Sequence, residues 1–288
     1  MRFTKILLAT ILLWFGLTNF NVLAMSPEQQ QQISILYNKG DYHNILRLTQ
    51  PLAEQGDAIA QGILGEMHLE GKGTKQDEFK AFEWYQKSAE QGNTKAQYNL
   101  GIMYANGRGV KKDYSKAIEW YQKAAQQGDV YSQFNLGDIY FNGLGVTQNY
   151  FKAFEWTKKA AEKGFANAQY NLGWMYFNGL GIRQDYLKAV EWYQKAADQG
   201  FDKAQFNLAR MYANGQGVKR DSIKFTEWLK KSADNGNTEA QIMLALRLGL
   251  AYQDWINAKY YSGLACDGGE QRGCDIYRLV RKQLGEVK

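Results

Sequence analysis

The sequence predicts an all-α fold, a solenoid of helix-turn-helix repeats 36 residues long. Three observations predict it. Gly56, Gly92, Gly128, Gly164, Gly200 and Gly236 follow one another at a constant interval of 36 residues, and a fixed period in this range marks a stack of one supersecondary unit. Each interval contains two stretches with apolar residues at helical spacing. The two stretches are joined by a turn, most often Gly-x-Gly. With only two prolines and 29 glycines in 288 residues, the composition fits helices punctuated by glycine.

The unit spanning 93–128 reads NTKAQYNLGIMYANGRGVKKDYSKAIEWYQKAAQQG. Its first half places Ala96, Leu100 and Tyr104 four residues apart, on one helical stripe. Gly101 costs such a helix about 1 kcal/mol relative to Ala. It recurs as Gly65, Gly137 and Gly173 and becomes Ala209 and Ala245, so only a small residue is allowed there. The expectation is that another backbone approaches closely. The turn Gly107-Arg108-Gly109-Val110 recurs at Gly143 and Gly215, and suits the tight connection of two helices. Asp113, with Asp77, Asn149, Asp185 and Asp221, stands where an N-cap opens the second helix. That helix carries Ala117, Trp120, Tyr121, Ala124 and Ala125, an amphipathic i, i+3, i+4, i+7, i+8 pattern. Trp120 recurs as Trp84, Trp156, Trp192 and Trp228 and is expected to be buried. Gly128 falls at the C′ position, where glycine ends a helix in the left-handed conformation.

These residues resemble the Sel-like repeat (SLR) family, a relative of the tetratricopeptide repeat. The matching signature is A-Q-x-x-L-G-x-x-Y, then N-G-x-G-V, then D-x-x-K-A-x-E-W-Y-x-K-A-A, recurring from Gly56 to about Gly269. The resemblance implies a right-handed superhelix with a concave face, used mainly for protein–protein binding and scaffolding.

Taken in order, residues 1–24 read as a signal peptide. Arg2 and Lys5 form its charged region, Ile6 to Leu17 its apolar core, and Val22-Leu23-Ala24 its cleavage site. The apolar core is too short to span a bilayer comfortably, and no cysteine follows it. The mature chain is then expected to begin at Met25, in a bacterial periplasm or beyond, without stable membrane insertion. Residues 25–56 read as a degenerate N-terminal repeat or cap. Ser26-Pro27 opens a helix, and Pro51 is expected to kink or shorten the helix that follows. Residues 57–269 hold six SLR-type helix pairs. In the last pair the Gly-x-Gly turn is missing and the interval from Gly236 to Gly269 falls to 33. Residues 270–288 read as a capping helix and tail covering the end of the stack.

Cys266 and Cys274 are the only two cysteines. They align with the end of one helix and the start of the next, and in an exported chain a disulfide follows. The segment A-C-D-G-G-E-x-R-G-C-D also resembles the cysteine-rich secreted branch of the SLR family, which carries such a pair in each repeat.

Chemistry is hard to find in this sequence. His68 takes a Tyr104-like packing position and His43 an exposed one, and neither has metal-ligand spacing. The cysteines are not C-x-x-C, and the Gly-x-Gly turns lack the third glycine of a dinucleotide site. Neither S-x-x-K nor G-x-S-x-G occurs, which argues against the β-lactamase-like hydrolase that the cysteine-rich branch would imply. No enzyme activity, cofactor or metal is expected. The formal charge of +6, or +4 without Arg2 and Lys5, is spread among carboxylates. A solvated surface is expected, with no nucleic-acid site.

Binding is the remaining function class. Positions that pack stay uniform, as Leu100, Leu136, Leu172 and Leu208 do. The position after Gly101 varies instead: Glu66, Ile102, Asp138, Trp174, Arg210 and Leu246. Four residues earlier runs an aromatic ladder, Tyr98, Phe134, Tyr170 and Phe206. By resemblance to tetratricopeptide repeats both phases face the concave groove, although a periodic aromatic also fits packing between repeats. The expected partner-binding residues are therefore Tyr98, Ile102, Phe134, Asp138, Tyr170, Trp174, Phe206 and Arg210. The expected partner is a protein or peptide. Cell-wall peptidoglycan, with groove aromatics stacked on sugar rings, is the alternative.

Overall fold

The computed structural model describes residues 24–287, so the rest of the predicted signal peptide lies outside the described residues. Among the described residues the regular structure is helical throughout. The helices fall into two units, residues 1–127 and 128–288. The first unit holds α1 (Pro27–Asn38), α2 (Tyr42–Glu54), α3 (Ala58–Glu70), α4 (Glu78–Glu90), α5 (Thr94–Asn106) and α6 (Tyr114–Gln126). The second holds α7 (Val130–Asn142), α8 (Tyr150–Glu162), α9 (Ala166–Asn178), α10 (Tyr186–Asp198), α11 (Asp202–Asn214), α12 (Ser222–Asp234), α13 (Thr238–Tyr252), α14 (Trp255–Asp267) and α15 (Gln271–Gln283). Within each unit helix pairs pack in series, as in an all-α solenoid.

The caps explain where the helices begin and end. Asp113 Oδ1 accepts the Lys116 N–H at 3.1 Å, and Asp77, Asn149, Asp185 and Asp221 cap their helices in the same way. This satisfies an N–H group that the first turn leaves without an intrahelical partner. At the other end of the first helix, Gly107 adopts φ +74° and its N–H returns to Met103 O. Pro51 lies inside α2, which nonetheless keeps the 13 residues of its counterparts. The expected shortening is not seen: Pro51 is exposed, and the carbonyl deprived of its N–H partner lies one turn back on the same face of the helix.

Two packing expectations need correction. The partner of Gly101 is a side chain. A Cβ there would lie 2.6 Å from the Tyr121 ring, and Gly65 and Gly173 meet Tyr85 and Tyr193 in the same way. Tyr85, Tyr121 and Tyr193 are buried at 2%, 3% and 1% exposure, so the phase after the tryptophan is the core phase. Where Leu229 replaces that tyrosine, Ala209 replaces the glycine, and both are fully buried. The expected backbone approach occurs instead at the second turn glycine: a Cβ on Gly109 would collide with the backbone carbonyl of Glu78. The turns at Gly73, Gly109, Gly181 and Gly217 thus rest on the start of the preceding second helix. Trp120, expected in the core, is half-buried. Lys123 lies 3.7 Å above its ring, and lysines cover Trp84, Trp156, Trp192 and Trp228 at 4.0–4.4 Å.

A glutamine ladder joins successive repeats. Buried Gln97 donates to Ala89 O in the preceding second helix at 3.1 Å and accepts from Gln127 Nε2 at 2.8 Å. Gln61, Gln169 and Gln205 repeat the arrangement. The apolar stripes are thus sealed by an amide with both ends satisfied.

The last pair differs. α13 runs to 15 residues, and Gln253 takes the left-handed φ of 57° that a glycine holds elsewhere. Cys266 in α14 and Cys274 in α15 form a disulfide.

Candidate functional site

In the second unit two clefts share one wall, the side chain of Trp174. The first, about 260 Å³, is bordered by Tyr170, Phe177, Tyr193, Asn207, Arg210 and Gln216. The second, about 190 Å³, is bordered by Asp138, Phe141, Asn142, Thr157 and Asn171. Trp174 is 37% exposed. Its position follows from local sequence. It succeeds Gly173, whose lack of a side chain lets Tyr193 pack against α9, so Trp174 emerges beside that seam. Phe141 from the preceding repeat meets it edge-on, with ring centroids 5.6 Å apart, and Asn178 Nδ2 donates to its carbonyl at 2.9 Å.

The polar groups around Trp174 are held in place. Asn207 borders the first cleft beside Tyr170 and Tyr193. Desolvation pushes both tyrosine pKa values above the usual phenol range. Asp138 Oδ1 accepts from Asn142 Nδ2 at 2.8 Å. Desolvation raises the pKa of Asp138, and that hydrogen bond works against the rise. The arrangement offers an aromatic plate, a guanidinium, a carboxylate and several amides within two adjoining clefts. Such a surface can bind and orient a ligand.

Not all the sequence-predicted residues come together. Asp138, Tyr170, Trp174 and Arg210 border the two clefts. The aromatic ladder as a whole is half-buried and engaged with other rings. Tyr98 lies 6.1 Å from Tyr121, Phe134 5.1 Å from Phe165, and Tyr170 5.2 Å from Phe201. Phe206 lies under the Arg210 guanidinium at 5.9 Å. Ile102 is half-buried on α5 in the first unit. Phe141 and Phe177 were not predicted. They share a phase with Leu69, Ala105 and Ala213, and that switch from small or aliphatic to aromatic was a readable signal.

The first unit has a separate cleft of about 400 Å³, bordered by α1, α3 and residues of α5. There Glu66, at the Trp174 phase, accepts the Tyr37 hydroxyl at 2.7 Å. His68 is half-buried with Nδ1 3.3 Å from Thr74 Oγ1, and burial lowers its pKa. Among the described residues no group of three or more His, Cys, Asp or Glu is placed to hold a metal ion. No helix among them is long and apolar enough to cross a membrane.

The Sel1 repeat family model matches residues 58–93, 94–129, 130–165, 166–201 and 202–237, more than half of the chain. The chain belongs to the Sel1 repeat family. Sel1 repeats build scaffolds that typically mediate protein–protein interaction and are generally not enzymes. Two solved Sel1-type structures resemble this chain over most of its length. One is a protective antigen of uropathogenic Escherichia coli displaying an SLR fold. It is 34% identical with a TM-score of 0.80, and the match covers 86% of this chain and 55% of the antigen. This chain therefore spans little more than half of that relative's length. The other is a Sel1 repeat protein from Oxalobacter formigenes, 32% identical with a TM-score of 0.70, covering 82% of this chain and 95% of that one. A more remote likeness, to the Cut9–Hcn1 hetero-tetramer of the APC/C at 14% identity and a TM-score of 0.51, concerns the fold alone. No curated protein matches the sequence.

Proposed function

We propose that this Sel1 repeat protein is an exported scaffold that binds a protein or peptide partner on the first-helix face of its second unit, with Trp174 as anchor. The observation that carries the proposal is the position of Trp174. It is the one tryptophan at the variable phase, exposed where two clefts meet, with Arg210 and Asp138 bordering one cleft each. Tryptophan and arginine dominate binding hot spots, and a half-enclosed ring can be desolvated fully by a partner. Tyr170 and Phe206, with Phe134, are further contacts on the first helices of the second unit, and Tyr98 and Ile102 are secondary contacts on the first unit by itself. Export rests on the charged, apolar and small-residue segments of 1–24. It agrees with the Cys266–Cys274 disulfide, a bond that persists in oxidising compartments.

The test is affinity capture of envelope and secreted proteins on the native chain, with Trp174→Ala and Arg210→Ala run in parallel. A specific partner should weaken by about 2 kcal/mol or more on either substitution. A partner held equally by all three chains would refute the assignment. The amides and carboxylate around Trp174 also suit a sugar ring stacked on the indole, which keeps a peptidoglycan ligand as a second reading. Sedimentation with purified peptidoglycan, abolished by Trp174→Ala, would favour it. Steady hydrolysis of a chromogenic β-lactam, lost on a point substitution, would instead point to the hydrolase.

A further inference from the structure

The first unit contains a buried carboxylate with no cation beside it. Asp57 is 4% exposed. Its Oδ1 accepts the Ala60 N–H at 2.6 Å as the cap of α3, and its Oδ2 accepts the backbone N–H of Met25 at 2.8 Å. Among the described residues no lysine, arginine or histidine forms an ion pair with it. A buried carboxylate with two neutral donors is costly, and nearby positive charge would stabilise it. The matching cap positions in later repeats are Asn93, Phe165, Phe201 and Asn237, all uncharged, and Asp129, which is half-exposed. Among these cap positions a buried carboxylate thus occurs at 57, where Met25 packs against it.

Met25 is 4% exposed and belongs to the core cluster of Ile33, Ile45, Leu52, Ala60, Leu64 and Met67. Its carbonyl accepts from Gln30 Nε2 at 3.2 Å. The next residue, Ser26, opens α1 with a capping box, its N–H donating to Gln29 Oε1 at 2.8 Å. Ala24, one residue earlier, is exposed. Met25 N is thus fixed against Asp57 while the residue before it lies outside.

We infer that Asp57 is the acceptor for the mature amino terminus, an α-ammonium on Met25 released by hydrolysis of the Ala24–Met25 bond. This inference rests on the export reading above. A signal-type endopeptidase adds water across that bond. Ala24 leaves as a carboxylate, Met25 N becomes an amine that takes up a proton, and the existing N–H···O contact becomes an ion pair. Processing thereby sets a cation against Asp57, where none of the described side chains supplies one, and strengthens the first unit once the leader is removed. An uncut leader, or a cut one residue to either side, leaves the carboxylate without that charge in register.

A four-protein cycle tests this. The chain is released without extra residues from a fusion partner to begin at Met25, or to begin at Ala24, each with Asp57 and with Asp57→Asn. Intact mass verifies each start, because a cytoplasmic initiator methionine before Ser26 would be removed. The Met25-initiated chain should melt about 4 °C or more above the Ala24-initiated one, and this gap should vanish in Asp57→Asn. An equal gap in both backgrounds, or none in either, overturns the inference. Amino-terminal sequencing of the exported protein tests the reading beneath it. A start at Met25 supports that reading. Any other start refutes processing at this bond, whatever the melting cycle shows.

Discussion

Six of the described tryptophans fall into two settings. In the second helices Trp84, Trp120, Trp156, Trp192 and Trp228 lie half-buried, each under a lysine one turn further on. In the first helices Trp174 has no counterpart at its phase, meets Phe141 edge-on and opens onto two clefts. The same residue type is structural in one place and available in the other. Repetition marks the first role, because every repeat must shield the same seam from water. Departure from repetition marks the second, because stacking asks nothing unusual of position 174.

The contrast can be broken most severely at the seam beneath both sets. Tyr121 fills the space that Gly101 leaves, and Tyr121→Ala should cost about 3–5 kcal/mol by opening a cavity in a buried site. Denaturant unfolding measures it, and a loss under 1 kcal/mol would show that the ring is dispensable. Gly101→Ala should cost about 1–3 kcal/mol by overpacking the same ring. Adding Tyr121→Leu should recover most of that loss, because Ala209 with Leu229 already uses this pairing. Failure of the double variant to recover would locate the clash elsewhere.

Gln97→Ala removes a buried amide with a partner at each end, and should cost about 1–2 kcal/mol. Trp120→Ala should cost about as much, through lost packing under Lys123 and a cation–π contact of about 0.5–1 kcal/mol. Thermal unfolding of Trp120→Ala beside Lys123→Ala separates those two contributions. The smallest effect on the fold belongs to Trp174→Ala, at less than about 1 kcal/mol, although the same change should carry the largest effect on a partner. A stability loss matching Tyr121→Ala would make Trp174 a core residue and remove it from the binding surface.

Much of this was legible in the residues. The glycine interval, the apolar stripes, the Asp and Asn caps and the paired cysteines each report a local or periodic requirement, which a sequence displays directly. Variation at one phase also pointed to Ile102, Asp138, Trp174 and Arg210, of which the last three border clefts of the second unit. The tyrosine seam was harder to read. Trp120 and Tyr121 are adjacent and apolar, so helical periodicity permits either to face the core, and only the packed helices assign the inward direction to Tyr121.

The sequence by itself determined the unit, its length, its caps and its order of helices, because those depend on backbone conformation and on spacing along one chain. The tertiary structure decided which aromatic rings the packing engages and which face open space. It brought Phe141, Trp174, Asn207 and Arg210 from successive repeats to adjoining clefts. It also set Met25 against Asp57, 32 residues away in sequence. Contacts between repeats depend on how neighbouring helices approach in space, and no spacing along a single chain encodes that distance.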